Sequence, residues 1–475
     1  MSRIWSMMDI GRRSMANSQT ALSTTAHNIA NKSTEGYSRQ RVEIVTNESL
    51  GEGQNQVGMG ARPGSVSRVN DQFLEKQLER EGNVFGYADA RHEMLGRVEQ
   101  VYNEQSNEGI THSIGKLFNS FRELSNNPES VATRTEVKES ALALCKDFRN
   151  VRQQLRDITK DADFRITTKV EEINQLTKEI ASLNAKVQSA ELGGGIANDE
   201  RDRRDHLLKE LSQRVNIKYA ESKDGALTVT AGNMAVLVSG HSQRDLYAIA
   251  TPARPGKAED NVDIFYKPND NSNPILMTKQ LNGGQIGGLL QVRDEVMGGL
   301  VKNVDEVAFT LANEINRIHT QGYDRNGRTG NVFFANLDSV ENAAHLINLD
   351  EAVSNDVARV AAAGGPNAPG DNRVANIISR LENKQIMNNG TSTVADFYNS
   401  IVGKVGIEAQ RAGTTYQSQK DIVGQMRNIR ESLSGVSLDE ETTKLIEFQK
   451  AYDASARLIK TVDEMLDTVL RLKPM

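Results

Sequence analysis

The stretch 438–472 carries a continuous apolar stripe that limits how the rest of the chain can fold. Its apolar side chains recur at alternating steps of three and four residues, and only Ser455 interrupts them. The members of this stripe are Leu445, Phe448, Tyr452, Ile459, Val462, Leu466 and Val469. A repeat of 3.5 residues is typical of a helix that packs lengthwise against another helix. Asp439, Glu440 and Glu441 place carboxylates in the first turn, which favours a helix start there.

The opening of the chain carries a matching stripe. Large and small side chains alternate along it with the same spacing, at Ile4, Met8, Gly11, Met15, Ser18, Leu22, Thr25 and Ile29. The small residues would let a second helix approach closely. We therefore predict that the two ends of the chain lie side by side as a coiled coil. The alternative is that both stripes are ordinary core faces of a helical bundle.

The composition narrows the class of protein. A chain of 475 residues is long enough for about three domains. The net charge of −6 is spread over both signs without a basic block, so neither a nucleic-acid partner nor an anionic membrane surface is indicated. The first residues lack the apolar core of a cleaved secretory signal, and no window is apolar enough for a membrane span. Cys145 stands alone, so it cannot form an internal disulfide.

Between the two ends, helical periodicity dominates. The strongest signal is a heptad-like stripe from Leu144 to Val187, which predicts one helix over most of 130–190 that ends at Gly193–Gly195. Such a helix would be on the order of 80–90 Å long. Asn70 is the expected cap of an earlier helix. Pro128 ends another, because the residue before a proline is pushed out of helical geometry.

The period changes from about 3.6 to 2 over 213–283. Two alternating runs flank Asp224–Gly225 and predict a β-hairpin. The predicted fold is therefore mainly α with a small inserted β-rich domain, in a nested, discontinuous arrangement. We predict a terminal coiled-coil domain from 1–45 with 435–475, a long helical bundle from 46–212 with 284–434, and a β-rich domain at 213–283.

No catalytic or metal-binding pattern stands out. The seven histidines are not spaced as zinc ligands. Asp324–Gly327 imitates the start of a calcium loop but lacks the later acidic residues, so a plain turn is favoured. The glycines at 283, 284, 287 and 288 precede a helix without the lysine of a phosphate loop. We expect no cofactor, no metal and no enzymatic activity.

Motifs at both ends resemble a known family. The segment Ala30–Tyr37 is similar to the Ala-Asn-x-x-Thr-x-Gly-Tyr signature of bacterial flagellar rod, hook and hook-associated proteins. Its continuation, Ser38–Gln40, resembles the form found in the hook-associated protein 1 family. The segments Ser434–Glu441, Phe448–Tyr452 and Asp463–Asp467 are similar to the same family. The centre of the chain resembles the family by layout.

The resemblance implies a structural role. It implies a ring of subunits that forms the junction between hook and filament, is required for filament assembly, and is exported to the flagellum without a cleaved signal after a transient cytoplasmic stage. The implied partners are further copies of the chain, the hook protein, a second junction protein that leads to the flagellin filament, and an export chaperone. Longer members carry a further β-rich insertion after a pair like Phe333–Phe334, and this chain lacks it.

In that family the terminal helices form an inner tube by packing against neighbouring subunits. The resemblance therefore makes the stripe residues candidates for the subunit interface: Ile4, Met8, Met15, Leu22, Ile29, Leu445, Phe448, Tyr452, Ile459, Val462, Leu466 and Val469. Two helices with apolar seams bury little area alone. We therefore expect 1–45 and 435–475 to be mobile in the monomer and to fold on assembly.

The signature turn, which we define as Asn31, Thr34, Gly36, Tyr37, Ser38 and Arg39, admits two interpretations. In the first, its residues only end a helix and shape a turn. In the second, the turn positions the inner helix against the outer bundle and presents Tyr37, Ser38 and Arg39 to a neighbouring subunit.

Two main alternatives stay open from the sequence, and an enzyme in the 213–283 domain is a third, which would need a cleft with convergent polar groups that the sequence does not reveal. One is another flagellar axial protein, such as a hook or distal-rod protein, although the Ser38–Gln40 form and the long central helices speak against it. The other is a cytosolic coiled-coil scaffold, which would share the heptads but has no reason to carry the signature turn.

Overall fold

The computed structural model describes residues 2–48, 58–102, 109–252, 261–269 and 271–471. The helices in chain order are α1 (Ser2–Ala30), α2 (Gln72–Tyr102), α3 (Ile110–Asn126), α4 (Val131–Leu192), α5 (Asn198–Arg214), α6 (Gly284–Gln291), α7 (Gly298–His319), α8 (Ala343–Leu346), α9 (Glu351–Asn355), α10 (Arg373–Arg380), α11 (Val394–Ser434) and α12 (Leu438–Arg471). The strands are β1 (Gln40–Thr46), β2 (Ala61–Arg68), β3 (Ile217–Glu221), β4 (Leu227–Ala231), β5 (Ala235–Ser239), β6 (Ser242–Gln243), β7 (Leu246–Ala250), β8 (Val262–Tyr266) and β9 (Ile275–Leu276). This order confirms the predicted fold class, a mainly helical chain with a small sheet-rich insertion and paired terminal helices.

Helix α4 is the longest of the described helices, and the bundle is built along it. Ser130 caps its start, because Ser130 Oγ accepts a hydrogen bond from Thr133 N at 3.4 Å. Its 62 residues give a length of about 93 Å, and it ends before Gly193 as predicted. The predicted stripe from Leu144 to Val187 is its buried face, which packs against α2, α3 and α5.

Helix α2 has a different cap from the predicted one. Asp71 Oδ1 accepts hydrogen bonds from Phe73 N at 2.9 Å and from Leu74 N at 3.2 Å. Asp71 therefore satisfies the free amide groups at the helix start, and the prediction that Asn70 does so is wrong. Both residue types are favoured caps, so the local sequence does not separate them.

Two small antiparallel sheets lie against the second half of α4. One has the strand order β3-β4-β5-β6 and the other β7-β8-β9. Two asparagines of α4 bind the strand ends: Asn184 Nδ2 donates to Leu227 O at 2.8 Å, and Asn174 Nδ2 donates to Leu246 O at 2.9 Å. The apolar core runs without interruption from the helices into these strands. The division into three domains stays a prediction.

A π-helical segment, Val292–Met297, joins α6 to α7. It carries Arg293, whose side chain is fully buried and lies 2.6 Å from the Asp163 carboxylate of α4. Arg293 Nη1 also donates to Val262 O at 2.7 Å, so one guanidinium connects two helices to the start of β8. π-Helical turns are rare and occur mostly as single-turn bulges between α-helical segments.

Between α7 and α10 the chain forms a compact cap on the bundle. Phe333 and Phe334 are fully buried there, with ring centroids 4.9 Å apart. His319 is also fully buried: its Nδ1 pairs with Asn331 O and its Nε2 accepts from Ala361 N, each at 2.8 Å.

The segment that imitates a calcium loop forms a plain turn. Asp324 Oδ1 accepts hydrogen bonds from Asn326 N and Arg328 N, each at 2.8 Å. The carboxylate is thus used by the backbone of its own turn. No helix in the described ranges is long and apolar enough to cross a membrane.

Candidate functional site: the terminal helix pair and the signature turn

The terminal helices pair in antiparallel direction. Ser14 Oγ and Ser455 Oγ hydrogen-bond at 2.7 Å, and three residues earlier Gly11 faces Leu458 and Ile459. A Cβ atom added at Gly11 would lie 2.8 Å from atoms of both side chains. Glycine and serine therefore let the two backbones approach closely. Ser455, which interrupts the apolar stripe, is one of the points of contact.

The predicted stripe residues lie along this helix pair, and most of their large side chains stay partly exposed to solvent. Val462 is buried, and Val469 is exposed. The other large stripe residues are half-buried, namely Ile4, Met8, Met15, Leu22, Ile29, Leu445, Phe448, Tyr452, Ile459 and Leu466, whereas the small ones, Gly11, Ser18 and Thr25, are buried. Their contact with neighbouring subunits stays a prediction, and their remaining exposed area is available for it.

Further apolar side chains of both helices face outward. They are Trp5, Met7, Ile446, Met465 and Leu470, and Trp5 is 59% exposed. Among the described residues, no member of α1 or α12 belongs to the apolar core of the bundle. An exposed apolar surface of this kind marks an interaction site.

The first half of the signature turn ends α1 and reverses the chain. Thr34 donates to Asn31 twice, from its backbone N to Asn31 O at 3.0 Å and from its hydroxyl to Asn31 Oδ1 at 3.2 Å. Tyr37 N then donates to Thr34 O at 3.2 Å. Gly36 has a φ of 82°, and a Cβ there would lie 3.0 Å from His206. The turn therefore requires glycine at this position.

The second half of the turn faces the inside of the chain. Tyr37 and Ser38 are buried, with Tyr37 OH donating to Asn28 Oδ1 at 2.8 Å and Ser38 N donating to Asp202 Oδ2 at 2.8 Å. The Arg39 side chain is 17% exposed. The polar groups of these residues bind partners within the chain, which fits the part of the second interpretation in which the turn positions α1 against the bundle. The presentation of Tyr37, Ser38 and Arg39 to a neighbouring subunit stays a prediction.

Asn28, Arg39 and Glu441 meet where α1, β1 and α12 converge, and we call them the elbow cluster. Glu441 Oε1 accepts from Arg39 Nε at 2.8 Å, and Glu441 Oε2 accepts from Asn28 Nδ2 at 2.9 Å. Asn28 also accepts from Gln40 N and donates to Gln40 O, each at 2.9 Å. Arg39 reaches a second carboxylate, that of Glu440, at 2.8 Å.

Asn28 lies in the last turn of α1 and Glu441 in the first turn of α12, and no local pattern in the sequence indicates their contact. The two residues are 413 positions apart in the chain. A polar residue one step from the apolar stripe was the only local signal at Asn28, and it fits a solvent-exposed residue equally well.

Further hydrogen bonds connect the turn to α2 and α11. Arg430 Nη2 donates to Gly36 O at 2.9 Å, and Arg430 Nε contacts Glu75 Oε1 of α2 at 3.1 Å. Arg39 N donates to Ser434 O at 2.8 Å, at the end of α11. The turn is therefore held by the bundle on one side and by α12 on the other.

A buried charge cluster supports the turn from α5. Arg68 Nη1 lies 2.7 Å from Asp202 Oδ1 and 2.9 Å from Asp205 Oδ2. Burial raises the pKa of Asp202, and Arg68 lowers it in part. Burial together with the carboxylates of Asp199 and Asp202 raises the pKa of Tyr37 above its usual range, so this phenol stays a hydrogen-bond donor at physiological pH.

Cofactor and metal binding have no candidate in this part of the molecule. Across the described ranges, no three side chains of histidine, cysteine, aspartate and glutamate gather in a way that could hold a metal ion. The site offers an apolar helical surface and a hydrogen-bonded polar elbow, which suit assembly with other chains.

Comparison with known proteins gives two family matches. The family described as "Flagellar hook-associated protein FlgK helical domain" matches residues 95–334. The family described as "Flagellar basal body rod FlgEFG protein C-terminal" matches residues 431–472, which include α12. The first match spans half of the chain.

Similar proteins extend over nearly the whole chain. The flagellar hook-associated protein 1 of Bacillus subtilis (strain 168) is 27% identical, covering 98% of this chain and 97% of that protein. The protein of the same name from Salmonella typhimurium is 25% identical, covering 96% and 97%. That alignment spans 547 positions against the 475 residues here, so the Salmonella protein carries insertions that this chain lacks.

A solved structure has the same fold. The flagellar hook junction protein FlgK from Burkholderia pseudomallei aligns with a TM-score of 0.68 at 16% identity, covering 75% of this chain and 100% of that one. Together with the match over residues 95–334, this establishes that the chain belongs to the flagellar hook-associated protein FlgK family.

Proposed function

We propose that this chain is the structural subunit that joins the flagellar hook to the filament, and that it assembles through the terminal helix pair. The observation that carries this proposal is the open apolar surface of α1 and α12, which lies outside the core of the bundle. A structural subunit needs such a surface for its neighbours, because burial of apolar area drives association.

The exposed face of α1 suits a neighbouring helix. Small side chains recur along it at Ala16, Ser23, Ala26 and Ala30, all exposed. Small residues let a second helix approach closely, and the outward apolar residues of α12 in the next copy supply the complementary bulk. The stripe residues from Ile4 to Ile29 and from Leu445 to Val469 keep partly exposed edges that the same contact would bury.

Assembly also explains why the terminal helix pair leaves so much apolar surface exposed to solvent. Two helices bury little area on their own, and helices without tertiary partners are marginal in water. The regions 1–45 and 435–475 therefore become fully ordered when copies pack into an inner tube. The bundle of 46–212 with 284–434 surrounds that tube, and the β-rich region 213–283 lies outside it.

The partners follow from the position at the junction. They are further copies of the chain in a ring, the hook protein on one side, a second junction protein that leads to the flagellin filament on the other, and an export chaperone in the cytoplasm. The subunit acts in the extracellular flagellum after export without a cleaved signal. The names of the relatives from Bacillus subtilis and Salmonella typhimurium support this placement.

Another axial position, in the hook or the distal rod, is the second candidate. The match of residues 431–472 to a basal-body rod family favours it. The match of residues 95–334 to the FlgK helical domain favours the junction.

A deletion strain of the source bacterium separates these candidates. At the junction, loss of the protein leaves finished hooks without filaments and releases unpolymerised flagellin into the medium. Loss of a hook or rod protein leaves no complete hook. Normal filaments in the deletion strain would refute both placements.

A further inference from the structure

We propose that the elbow cluster is an orientation lock. It holds the last turn of α1 and the first turn of α12 on the bundle in the free subunit, and it thereby fixes the direction of the terminal helix pair before assembly. The inference rests on the proposed assembly through that pair. Under this proposal, only the parts of α1 and α12 beyond the elbow cluster are mobile in the free subunit.

The burial of Glu441 is the first argument. Within the described residues of α12, only Glu441, Ser455 and Val462 are buried. Glu441 is 1% exposed, as little as Val462. A carboxylate is costly to bury unless each oxygen is paired, so its position in a helix that is otherwise open indicates a specific contact.

The mutual dependence of the three side chains is the second argument. Both Glu441 oxygens are occupied, one by Arg39 and one by Asn28. If the first turn of α12 left this position, Arg39 would lose the carboxylates of Glu440 and Glu441 together. The cluster is therefore formed only when α12 leaves the bundle in one direction.

The connection to the bundle is the third argument. Arg39 N binds Ser434 O at the end of α11, Ser38 N binds Asp202 of α5, and Arg430 binds Gly36 O. Hydrogen bonds thus run without interruption from the bundle to the first turn of α12.

The hydrogen bonds farther along the terminal helix pair bind other parts of the chain. Ser14 binds Ser455, Asn17 Nδ2 donates to Ala61 O, and Arg13 donates to Met59 O. These bonds join the two helices to each other and to the chain around β2, which itself stands beside α1. They do not fix the pair to the long helices of the bundle.

Amide hydrogen exchange of the purified full-length free subunit tests the lock. We expect slow exchange in 28–41 and 434–445 and fast exchange in 4–22 and 450–470. Fast exchange at 434–445 would overturn the lock, because the first turn of α12 would then be free before assembly.

Two neighbouring carboxylates provide a matched pair of variants. Glu441→Gln keeps the shape of the side chain but places an amide donor against Asn28 or Arg39, and we expect exchange at 434–445 to accelerate at least about tenfold. Glu440→Gln removes an exposed carboxylate from the same arginine, and we expect a change within about twofold. Equal effects of the two substitutions would contradict the lock.

Thermal unfolding and assembly give the remaining readouts. The main unfolding transition of Glu441→Gln should match that of the wild type, because the bundle core is not touched, whereas filament formation in the complemented deletion strain should fall about tenfold or more. Normal filament formation with accelerated exchange would overturn the role in orientation. Failure of the junction function itself would appear separately, as normal filaments in the deletion strain.

Discussion

The helical bundle and the terminal helix pair use the same apolar repeat, and they bury it to different extents. The stripe of α4 from Leu144 to Val187 is almost completely enclosed by α2, α3 and α5. Most of the large apolar side chains in the stripes of α1 and α12 are half-buried, Val469 is exposed, and only Val462 of the predicted interface residues is fully buried. The bundle closes its core within one chain, whereas the terminal pair keeps a surface open.

The difference teaches that a heptad pattern indicates a helical partner without saying where that partner is. Burial of apolar area contributes about 25 cal/mol per Å², so each half-exposed stripe residue retains stabilisation that further contacts can supply. In the bundle this contribution already holds the monomer together. In the terminal pair it remains available for assembly.

The polar contacts also differ between the bundle and the terminal helix pair. The bundle encloses charged pairs such as Arg293 with Asp163, which contribute to a single arrangement of α4, α7 and β8. In the terminal pair, small hydroxyl groups such as Ser14 and Ser455 make the contact, and the charged elbow cluster stands only at its base.

The largest effect is expected from Phe333→Ala in the bundle. The Phe333 ring is fully buried, 5.4 Å from the Phe121 ring and 5.3 Å from the His319 ring. Removing it leaves a cavity and should lower the free energy of unfolding by about 4 kcal/mol. Urea unfolding followed by circular dichroism measures this value. A loss below about 1 kcal/mol would mean that the bundle is as loosely packed as the terminal pair.

A smaller loss is expected from Arg293→Met. The substitution leaves Asp163 buried without its cation, which should lower the free energy of unfolding by about 3 kcal/mol. Arg317→Met is the matched control, because Arg317 pairs with Glu314 on the surface and should cost under about 1 kcal/mol. Urea unfolding of both variants decides the point, and equal losses would contradict a structural role for the π-helical segment.

A pH dependence is expected from His319 in the bundle. Burial lowers the pKa of His319 to about 4, so the folded state favours the neutral ring. The unfolded chain binds the proton from about pH 6.5 downward, and His319 should therefore remove about 2 kcal/mol of stability between pH 7.5 and pH 5. Its contribution is present above pH 6.5 and is lost as the pH falls toward 4.

The measurement compares the pH slopes of unfolding for His319→Gln and for His345→Gln, an exposed control. Only the first should flatten the slope. Glu79, whose pKa burial raises to about 7, acts in the opposite direction, since its stabilising effect is lost as the pH rises from about 4.5 to 7. Glu79 is present in both variants, so it cancels in the comparison. Identical slopes would show that His319 titrates normally in the folded state.

The sequence was sufficient to predict much of the fold. The apolar repeats of α1, α4 and α12 are visible in the local sequence. Gly193 and Pro128 follow the ends of two helices, as predicted. The change of the apolar repeat to two residues predicted the β-rich insertion. The π-helical segment was not predicted. Its Arg293 pairs with Asp163 across 130 positions, and no local pattern in the sequence indicates that contact.

Only part of the candidate site was predicted, because its other contacts also join residues that lie far apart in the chain. The pairing of α1 with α12 followed from two matching stripes. The elbow cluster did not, because Asn28 looks locally like a helix end and Glu441 like a first-turn carboxylate. The inward direction of Tyr37, Ser38 and Arg39 also depends on α5 and α12, whose positions the signature turn does not encode.

Only a small loss of stability is expected from Phe448→Ala in the terminal pair. Phe448 is half-buried in α12, and its loss should lower the free energy of unfolding of the free subunit by less than about 1 kcal/mol, against about 4 for Phe333→Ala. Filament formation in the complemented deletion strain should nevertheless fall, because the proposed assembly buries this surface. Ile446→Ala, at an outward-facing position, should leave stability unchanged and also reduce assembly. If Phe448→Ala cost as much as Phe333→Ala, the terminal pair would be a closed folding unit like the bundle, and its open surface would need another explanation than assembly.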